Sequence, residues 1–347
     1  MDLADTPDHA ALREAVRAFA RRHATPEQVR ATMASPSGYD PATWARLTGE
    51  LGLTALAVPE ALGGAGAGPG EAAVAVEELG RVLLPSPYLS SAVVALALAG
   101  AADTCPQAAE RYLPGLADGS VIGALALDAD VTVAGGTVTG VARNVVDGAP
   151  AGVLLVRAGD ALVAVPGSGA VAEPLPTLDQ TRRQAAVRLD RAPAVAAGPA
   201  APVVALHRVL LAAECVAAAE HCLDVTVEYL KARHQFGRPI GSFQAVKHRA
   251  ADLAVAVISA GATARAAVRT AAADPAALAA LAPLAALHCS RTFVRVAGEM
   301  IQLHGGIGFT WEHEAHLYFK RAKSSQLLLG PASALRAEIG REAGLVS

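Results

Sequence analysis

The amino-acid sequence predicts a mainly α-helical protein with a small central β-domain. The composition is 53% hydrophobic but only 4% aromatic, and much of its apolar content is Ala, Leu and Val. Ala and Leu favour long helices that pack closely through small side chains. Helical periodicity occupies both ends of the chain, whereas short β-branched runs between Gly-rich turns occupy only the middle. A chain of 347 residues has room for two or three packed subdomains.

Residues 1–120 are predicted to form an N-terminal helical domain. Leu12, Val16 and Phe19 recur at helical spacing. The Gly-rich stretch 59–66 interrupts this pattern, and we interpret it as a connector between helices. It is not a P-loop, because no Gly-Lys-Ser/Thr follows it.

Residues 121–195 are predicted to form a small antiparallel β-domain. Runs of Val, Thr and Leu alternate there with turn dipeptides such as Gly135-Gly136 and Asp147-Gly148. The connections are too short for helical crossovers, which is why we expect antiparallel pairing. The strands are predicted at 131–133, 137–139, 152–156 and 161–165, with 187–190 as the last one.

Residues 196–347 are predicted to form a C-terminal domain of four long helices. The pattern becomes helical again after a stretch rich in Pro and Ala. Asp274-Pro275 marks one boundary, because proline suits the first position of a helix. The helices are predicted at about 203–232, 242–273, 275–303 and 314–343.

Charge and hydropathy exclude several classes of protein. The net charge of −3 gives no excess of basic residues, which argues against a protein that binds nucleic acid or an anionic membrane. The first five residues are acidic and lack the basic and apolar regions of a signal peptide. The apolar run 92–102 is shorter than the roughly 20 residues that span a bilayer. We therefore expect a soluble, cytoplasmic protein without a membrane span.

Cysteine usage also argues for a structural role and against a metal or redox centre. No Cys-x-x-Cys spacing occurs, so we predict no metal site. We expect the thiols to be small, buried apolar groups in a reducing compartment. The four cysteines are Cys105, Cys215, Cys222 and Cys289.

Two motifs lie on either side of a long Ala-rich helical region. The first reads Arg-His-Gln-Phe-Gly-Arg-Pro-Ile-Gly-Ser-Phe-Gln over residues 233–244, and the second reads Gln-Leu-His-Gly-Gly-Ile-Gly-Phe over residues 302–309. Taken singly, an arginine at a helix end or a Gly-Gly turn is commonplace. Together, in this order, the motifs resemble the two flavin-binding signatures of the acyl-CoA dehydrogenase family. The resemblance covers essentially the whole chain, including the order of helices, β-domain and four long helices.

The resemblance implies that these motifs contact the ADP portion of an FAD held by a neighbouring subunit. A guanidinium offers a rigid fork of donors that suits a pyrophosphate. The start of the following helix favours an anion, and glycines let a backbone approach a bulky ligand. The residues implied in FAD binding are Arg233, Phe236, Gln244, Gln302, Gly305 and Gly306.

Features that the family uses to bind a subunit's own flavin are missing. Family members usually carry a Gly-Ser-Asp-containing segment and a nearby Trp-containing strand that hold the isoalloxazine ring and the acyl-CoA. The corresponding stretch 124–133 has no Gly-Ser-Asp, and no tryptophan occurs between Trp44 and Trp311. The resemblance therefore implies that this chain has no complete flavin site of its own.

The catalytic base of the family is missing as well, so we predict no catalytic residue in this chain. Alignment through Arg321-Ala322-Lys323 puts Leu329 where the family commonly has a glutamate. A second family location for the base corresponds to His207, which lies beside a cation and is interpreted as structural. Glu214, about two turns further along the same helix, is a weaker candidate still.

Jointly, these features resemble the shorter, base-less subunit of heteromeric acyl-CoA dehydrogenases from actinobacterial steroid side-chain degradation, which form α2β2 assemblies. The resemblance implies several partners: a longer homologue that carries the catalytic glutamate, an acyl-CoA substrate, and an electron-transfer flavoprotein or similar acceptor. FAD would be shared across the subunit interface. Two alternatives stay open: a self-sufficient homotetrameric dehydrogenase with a relocated base, and a biosynthetic flavoprotein or flavin-free scaffold of the same fold.

Overall fold

The computed structural model describes residues 6–274 and 277–345. Its N-terminal helices begin at prolines and polar caps. The Thr6 hydroxyl accepts a hydrogen bond from the backbone of α1, Thr25 and Gln28 form a capping box on α2, and Asp40 caps α3. The helices are α1 (Pro7–His23), α2 (Pro26–Ala34), α3 (Pro41–Gly49), α4 (Pro69–Arg81), α5 (Tyr88–Gly100) and α6 (Pro106–Ala117). The Gly-rich stretch 59–66 connects α3 to α4, as expected.

The central domain contains two four-stranded sheets, ordered β1-β4-β5-β8 and β2-β3-β7-β6. Their strands are β1 (Gly123–Ala126), β2 (Asp128–Ala134), β3 (Thr137–Val146), β4 (Val153–Ala158), β5 (Ala161–Pro166), β6 (Ala170–Pro174), β7 (Gln184–Pro193) and β8 (Val195–Pro199). Inward-facing side chains of both sheets, including Val138, Leu154 and Val187, form their shared core.

Two predictions about this domain are wrong. The sheets are not purely antiparallel, because β1 pairs with β4 in parallel. The chain leaves β1, forms the β2–β3 hairpin in the other sheet and then returns, so the hairpin replaces the helical crossover that parallel strands usually need. Nor is 187–190 the last strand, since β8 follows it and pairs with β5.

The C-terminal part is again helical, and its last predicted helix is divided. Gly330 has a φ of +99° and Pro331 follows it, so the helix predicted over 314–343 breaks there. The predicted start at Pro275 lies outside the described residues. The helices are α7 (Ala200–Ala232), α8 (Gln244–Ala273), α9 (Leu278–His304), α10 (Ala315–Leu328) and α11 (Ala332–Glu342), and a small hairpin of β9 (His234–Gln235) and β10 (Arg238–Pro239) joins α7 to α8.

Helix α7 is the centre of the molecule. Residues 209–219 are all buried, and they pack against α4, α8 and α9. A helix that is apolar on all sides is expected to be surrounded by protein. Overall, the order of an N-terminal helical part, a β-domain and a C-terminal helical part confirms the predicted fold class.

Two of these helices are also long and apolar enough to cross a membrane by length and composition. They are α7 and α8, and 67% and 33% of their most apolar windows are buried, respectively. Buried core helices of soluble proteins pass the same test, so this similarity is weak evidence for a membrane span.

The cysteines are free thiols, and three of them are buried as predicted. Cys105 is only partly buried. Burial raises the pKa of Cys289 to about 12, which makes that thiol unreactive. Within residues 6–274 and 277–345, no group of three or more His, Cys, Asp or Glu side chains could hold a metal ion.

A buried ionic network joins the β-domain to the C-terminal helices. Arg321 of α10 donates to Asp179 at 2.7 Å and to Glu214 of α7 at 2.9 Å. Burial alone would lower the pKa of Arg321, but the two carboxylates outweigh it and raise that pKa. Gly80 of α4 makes room for this network, because a Cβ there would lie 2.3 Å from the Glu214 side chain.

We expect Arg321→Met to lower the free energy of unfolding by about 3–5 kcal/mol, because it leaves Asp179 buried without its charge partner. Urea denaturation measures this change. The matched control is Arg143→Met, which removes an exposed ion pair with Asp128 (3.7 Å) and should cost less than about 1 kcal/mol. Equal losses in the two variants would contradict the importance that we assign to the buried network.

Candidate functional site

The residues of the two flavin motifs lie at one end of the helical bundle. Helix α7 ends at Ala232, α8 begins at Gln244, and α9 ends at His304. The Tyr229 hydroxyl donates to the backbone oxygen of His304 at 3.3 Å, and the two rings stack at 4.3 Å, which brings the ends of α7 and α9 together. The fold therefore assembles sequence-distant motifs on one surface.

The first motif forms an open loop. Phe236 occupies the turn of the β9–β10 hairpin with a φ of +54°, and it is 92% exposed. The neighbouring Arg238 stacks on Phe243 at 4.1 Å. Arg233, by contrast, is exposed, and no described residue forms a hydrogen bond or ion pair with its guanidinium. Its donors are thus available to an external anion.

The start of α8 has the properties of an anion site. The chain makes a short 3-10 turn at Ile240–Ser242 before the helix begins at Gln244, two residues later than predicted. No side chain caps the free N–H groups there, and the Ser242 hydroxyl is buried without a hydrogen-bond partner. These unsatisfied donors fit a phosphate.

In the second motif, the backbone at the two adjacent glycines is exposed to solvent. Gly305 has a φ of +61°, a conformation that side chains disfavour, and Cβ atoms at Gly305 and Gly306 would contact no protein atom. Gln302 is exposed one turn earlier. All six predicted residues are exposed at this end of the helical bundle.

A separate cavity of about 160 Å³ lies near the start of α7. Its lining includes residues from the three regions that the resemblance assigns to a subunit's own flavin and base. They contribute Leu125, Leu127 and Asp128 from the stretch 124–133, His207 from α7, and Leu327 and Leu328 from the end of α10. We call this cavity the inner niche.

Residues 233–244 and 302–309 together form what we call the motif surface. The inner niche is too far from this surface to contact the same flavin. At 1.5 Å per residue, Arg233 lies about 39 Å beyond His207 along α7. The niche is also small, since ligand sites usually enclose about 300–1,000 Å³. These residues therefore do not fit an isoalloxazine ring.

The three candidate base positions differ from a catalytic base in distinct ways. Leu329 is 2% exposed and packs against Leu211, Ala286 and Leu335, not into the inner niche. Glu214 has both oxygens engaged by Arg182 and Arg321, so it is unavailable for proton transfer.

His207 does line the inner niche, but its environment makes it a weak base. Burial, reinforced by the charges of Arg182 and Arg208, lowers its pKa to about 4. A general base works best with a pKa near the operating pH. Its position thus agrees with the structural interpretation.

Sequence reasoning missed Arg182 and Asp147. Arg182 reaches from the loop between β6 and β7 to Glu214, and donates to the Ser325 hydroxyl at 3.3 Å. Asp147 accepts a hydrogen bond from Ser90 at 2.6 Å, and burial raises its pKa to about 6. The turn dipeptide Asp147-Gly148 drew attention to Asp147 only as a turn residue, and no local pattern singled out Arg182. The hydrogen-bond partners of both residues are distant in sequence.

Comparisons with known proteins identify relatives over nearly the whole chain. Residues 6–120 match the acyl-CoA dehydrogenase N-terminal domain, and residues 201–344 match the acyl-CoA dehydrogenase C-terminal domain. Acyl-CoA dehydrogenase IpdE2 of Mycobacterium tuberculosis is 46% identical over 94% of each chain. The IpdE2 of Mycolicibacterium smegmatis is 41% identical over 92% of this chain and 94% of its own.

Two similar solved structures are heteromeric complexes. A chain of the Mycobacterium tuberculosis ChsE4–ChsE5 complex has a TM-score of 0.90 and 28% identity, with complete coverage of both chains. A chain of the Tcur3481–Tcur3483 steroid ACAD has a TM-score of 0.89 and 32% identity, covering 97% of this chain and 98% of that one.

The lowered pKa of His207 predicts a loss of stability in mild acid. The ring has an ordinary value of 6.5 when unfolded and about 4 when folded, so below pH 6.5 the unfolded chain binds more protons. Its contribution is present above that pH and is lost as the pH falls toward 4, on the order of 3 kcal/mol. We expect His207→Gln to flatten this part of the stability–pH curve, whereas His248→Gln, at an exposed position of α8, should not. Parallel curves in thermal unfolding would disprove the assignment.

Proposed function

Because the chain belongs to the acyl-CoA dehydrogenase family, we propose that it is the non-catalytic subunit of a heteromeric, FAD-dependent acyl-CoA dehydrogenase. It completes the FAD site of a longer homologous subunit that carries the catalytic glutamate. The complex desaturates an acyl-CoA thioester between its α- and β-carbons. We extend the substrate class to steroid side-chain CoA esters, because one matched complex is described as a steroid ACAD.

One observation carries this proposal: the two halves of a flavin site lie at opposite ends of α7, and only one is usable. The motif surface at the far end is open, with Arg233 and the backbone at Gly305 available to a ligand. The inner niche at the near end encloses about 160 Å³ and has leucines near the position of the family base. A chain built in this way can contribute to a neighbour's flavin but not hold its own.

The residues of the motif surface have distinct tasks in this assembly. The Arg233 guanidinium and the N–H groups at the start of α8 bind the pyrophosphate, and Phe236 covers an apolar edge of the nucleotide. Gln302 bonds phosphate or ribose, while Gly305 and Gly306 admit the ligand to the backbone. FAD held there would supply the acceptor for a hydride from the β-carbon, while a carboxylate of the partner would take the α-proton.

The other inferred properties follow from this role. An electron-transfer flavoprotein or a similar acceptor would take the electrons that a flavin at this site receives. We also propose a cytoplasmic location and domain limits at residues 1–120, 121–195 and 196–347. A self-sufficient homotetramer is the second candidate, and only His207 favours it, because that side chain lines the inner niche.

Flavin stoichiometry tests the proposal directly. Coexpression with a longer homologue should yield about two FAD per four chains, because only one type of subunit holds the ring. The chain purified alone should be colourless or poorly soluble. Absorbance of released FAD against protein mass gives the ratio; four FAD per tetramer, or a yellow homo-oligomer, would refute the proposal.

Arg233→Ala should weaken FAD retention in the complex although the base lies on the other subunit. Loss of a charge-assisted contact with pyrophosphate costs about 1.5–3 kcal/mol, which corresponds to a roughly tenfold to hundredfold higher Kd. FAD release during dialysis measures the effect. Arg191→Ala removes the same charge from an exposed position of the β-domain and is the control. Equal FAD retention in the two variants would rule out the assigned contact.

Base candidates in this chain should not matter for turnover. His207→Gln should leave the dehydrogenation rate of the complex within a few-fold, whereas loss of a true general base costs roughly 10²–10⁴-fold. Leu329→Glu should not create a second active site, because Leu329 faces a core of Leu211 and Leu335. Rates are measured with an artificial electron acceptor at saturating acyl-CoA. A hundredfold loss in His207→Gln, at unchanged FAD content, would favour the homotetramer instead.

A further inference from the structure

Arg182 is the partition between two neighbouring cavities. Its side chain lines the inner niche and also a second, smaller cavity of about 20 Å³. The lining of the smaller cavity combines apolar side chains with the charged groups of Asp147, Glu214 and Arg321. Leu89 is shared by both cavities as well, but it belongs to the apolar wall. The volume of the inner niche is therefore limited on this side by a guanidinium.

The contacts of Arg182 hold that guanidinium in place. One nitrogen donates to Glu214 of α7, and another donates to the Ser325 hydroxyl of α10 at 3.3 Å. The residue is only 7% exposed, and the remaining oxygen of Glu214 is fixed by Arg321 at 2.9 Å. A buried cation with charged and neutral acceptors has no alternative position of similar energy, so it does not swing aside for a ligand.

The remaining walls of the inner niche have the character of a ligand site. They are mainly apolar, with a few polar groups among them. Leu125, Val93 and Leu211 supply apolar surface, and Ser90 and His207 supply hydrogen-bonding groups. What the niche lacks is volume, because its 160 Å³ is about half of what small-molecule sites usually need.

We propose that Arg182 is the specificity-determining residue that closes this chain's own niche to a flavin ring, so that FAD binds only across the interface. This inference rests on the proposed function. Removing the side chain would join the two cavities and add the space of the guanidinium itself. The enlarged niche would accept a planar, largely apolar heterocycle such as an isoalloxazine.

Three variants separate volume from charge. Arg182→Ala opens the niche, whereas Arg182→Met keeps it filled while removing the charge. Arg182→Ala/Glu214→Gln removes the carboxylate that the single alanine variant would leave with one partner fewer, and it preserves the contact between Arg321 and Asp179 (2.7 Å). Leu328→Ala is the control for enlargement alone, because Leu328 lines only the inner niche and its loss does not join the cavities.

The experiment uses the coexpressed complex with its FAD content determined beforehand. Lumiflavin, the isoalloxazine ring without ribityl or ADP, is the probe, and equilibrium dialysis counts the rings bound beyond the FAD. We expect both Arg182→Ala variants to bind up to one additional lumiflavin ring per copy of this chain, at least roughly tenfold more bound ring than in the parent complex. The parent, Arg182→Met and Leu328→Ala complexes should bind no additional ring.

The outcomes distinguish this inference from the function on which it rests. If the folded alanine variants bind no more lumiflavin than Arg182→Met, Arg182 does not control access and the inference is wrong. Extra lumiflavin in the parent complex, or equal gain in Leu328→Ala, would also overturn it. A parent complex with one FAD per chain would instead refute the proposed function, whatever the variants do.

Discussion

The buried network around Arg321 is the interaction on which the rest of the structure depends. It connects α10 to the loop between β6 and β7 through Asp179, and to the middle of α7 through Glu214. Charges that are removed from water tolerate little displacement, because an unpaired buried carboxylate or guanidinium costs several kcal/mol. The β-domain and the C-terminal helices can therefore dock in only one register. Gly80 of α4 contributes to the same register, since only a residue without a side chain leaves room for Glu214.

That register makes α7 the axis that separates two different ends of the molecule. The near end is closed by the network itself, because Arg182 pairs with Glu214 at the wall between the inner niche and the smaller cavity. The far end is open, because the hairpin with Phe236 and the backbone at Gly305 have no protein above them. A 33-residue helix is too long for one extended cofactor to use both ends. The division between a closed niche and an open surface is thus a direct result of helix length.

The two ends of α7 differ in the side chains that they carry. Around the inner niche, leucines line the cavity, and Leu329 joins a small core with Leu211 and Leu335. Apolar side chains suit such an interior, because a polar group buried there would need a hydrogen-bond partner. At the motif surface, in contrast, Arg233 and the backbone at Gly305 are exposed. One chain of the ChsE4–ChsE5 complex and one chain of the Tcur3481–Tcur3483 steroid ACAD have this fold.

The sequence by itself determined the fold class and the end of α7 at Ala232, because periodicity, prolines and glycines act over short distances along the chain. It did not determine the parallel pairing of β1 with β4, whose register depends on a hairpin in another sheet. Nor did it show the break at Gly330, where two residues outweigh a long helical pattern. Only the tertiary structure decided the roles of Arg182, Glu214 and Arg321. Their partners lie 32 to 143 residues away, and a charge in a sequence is ordinarily solvated until the fold buries it.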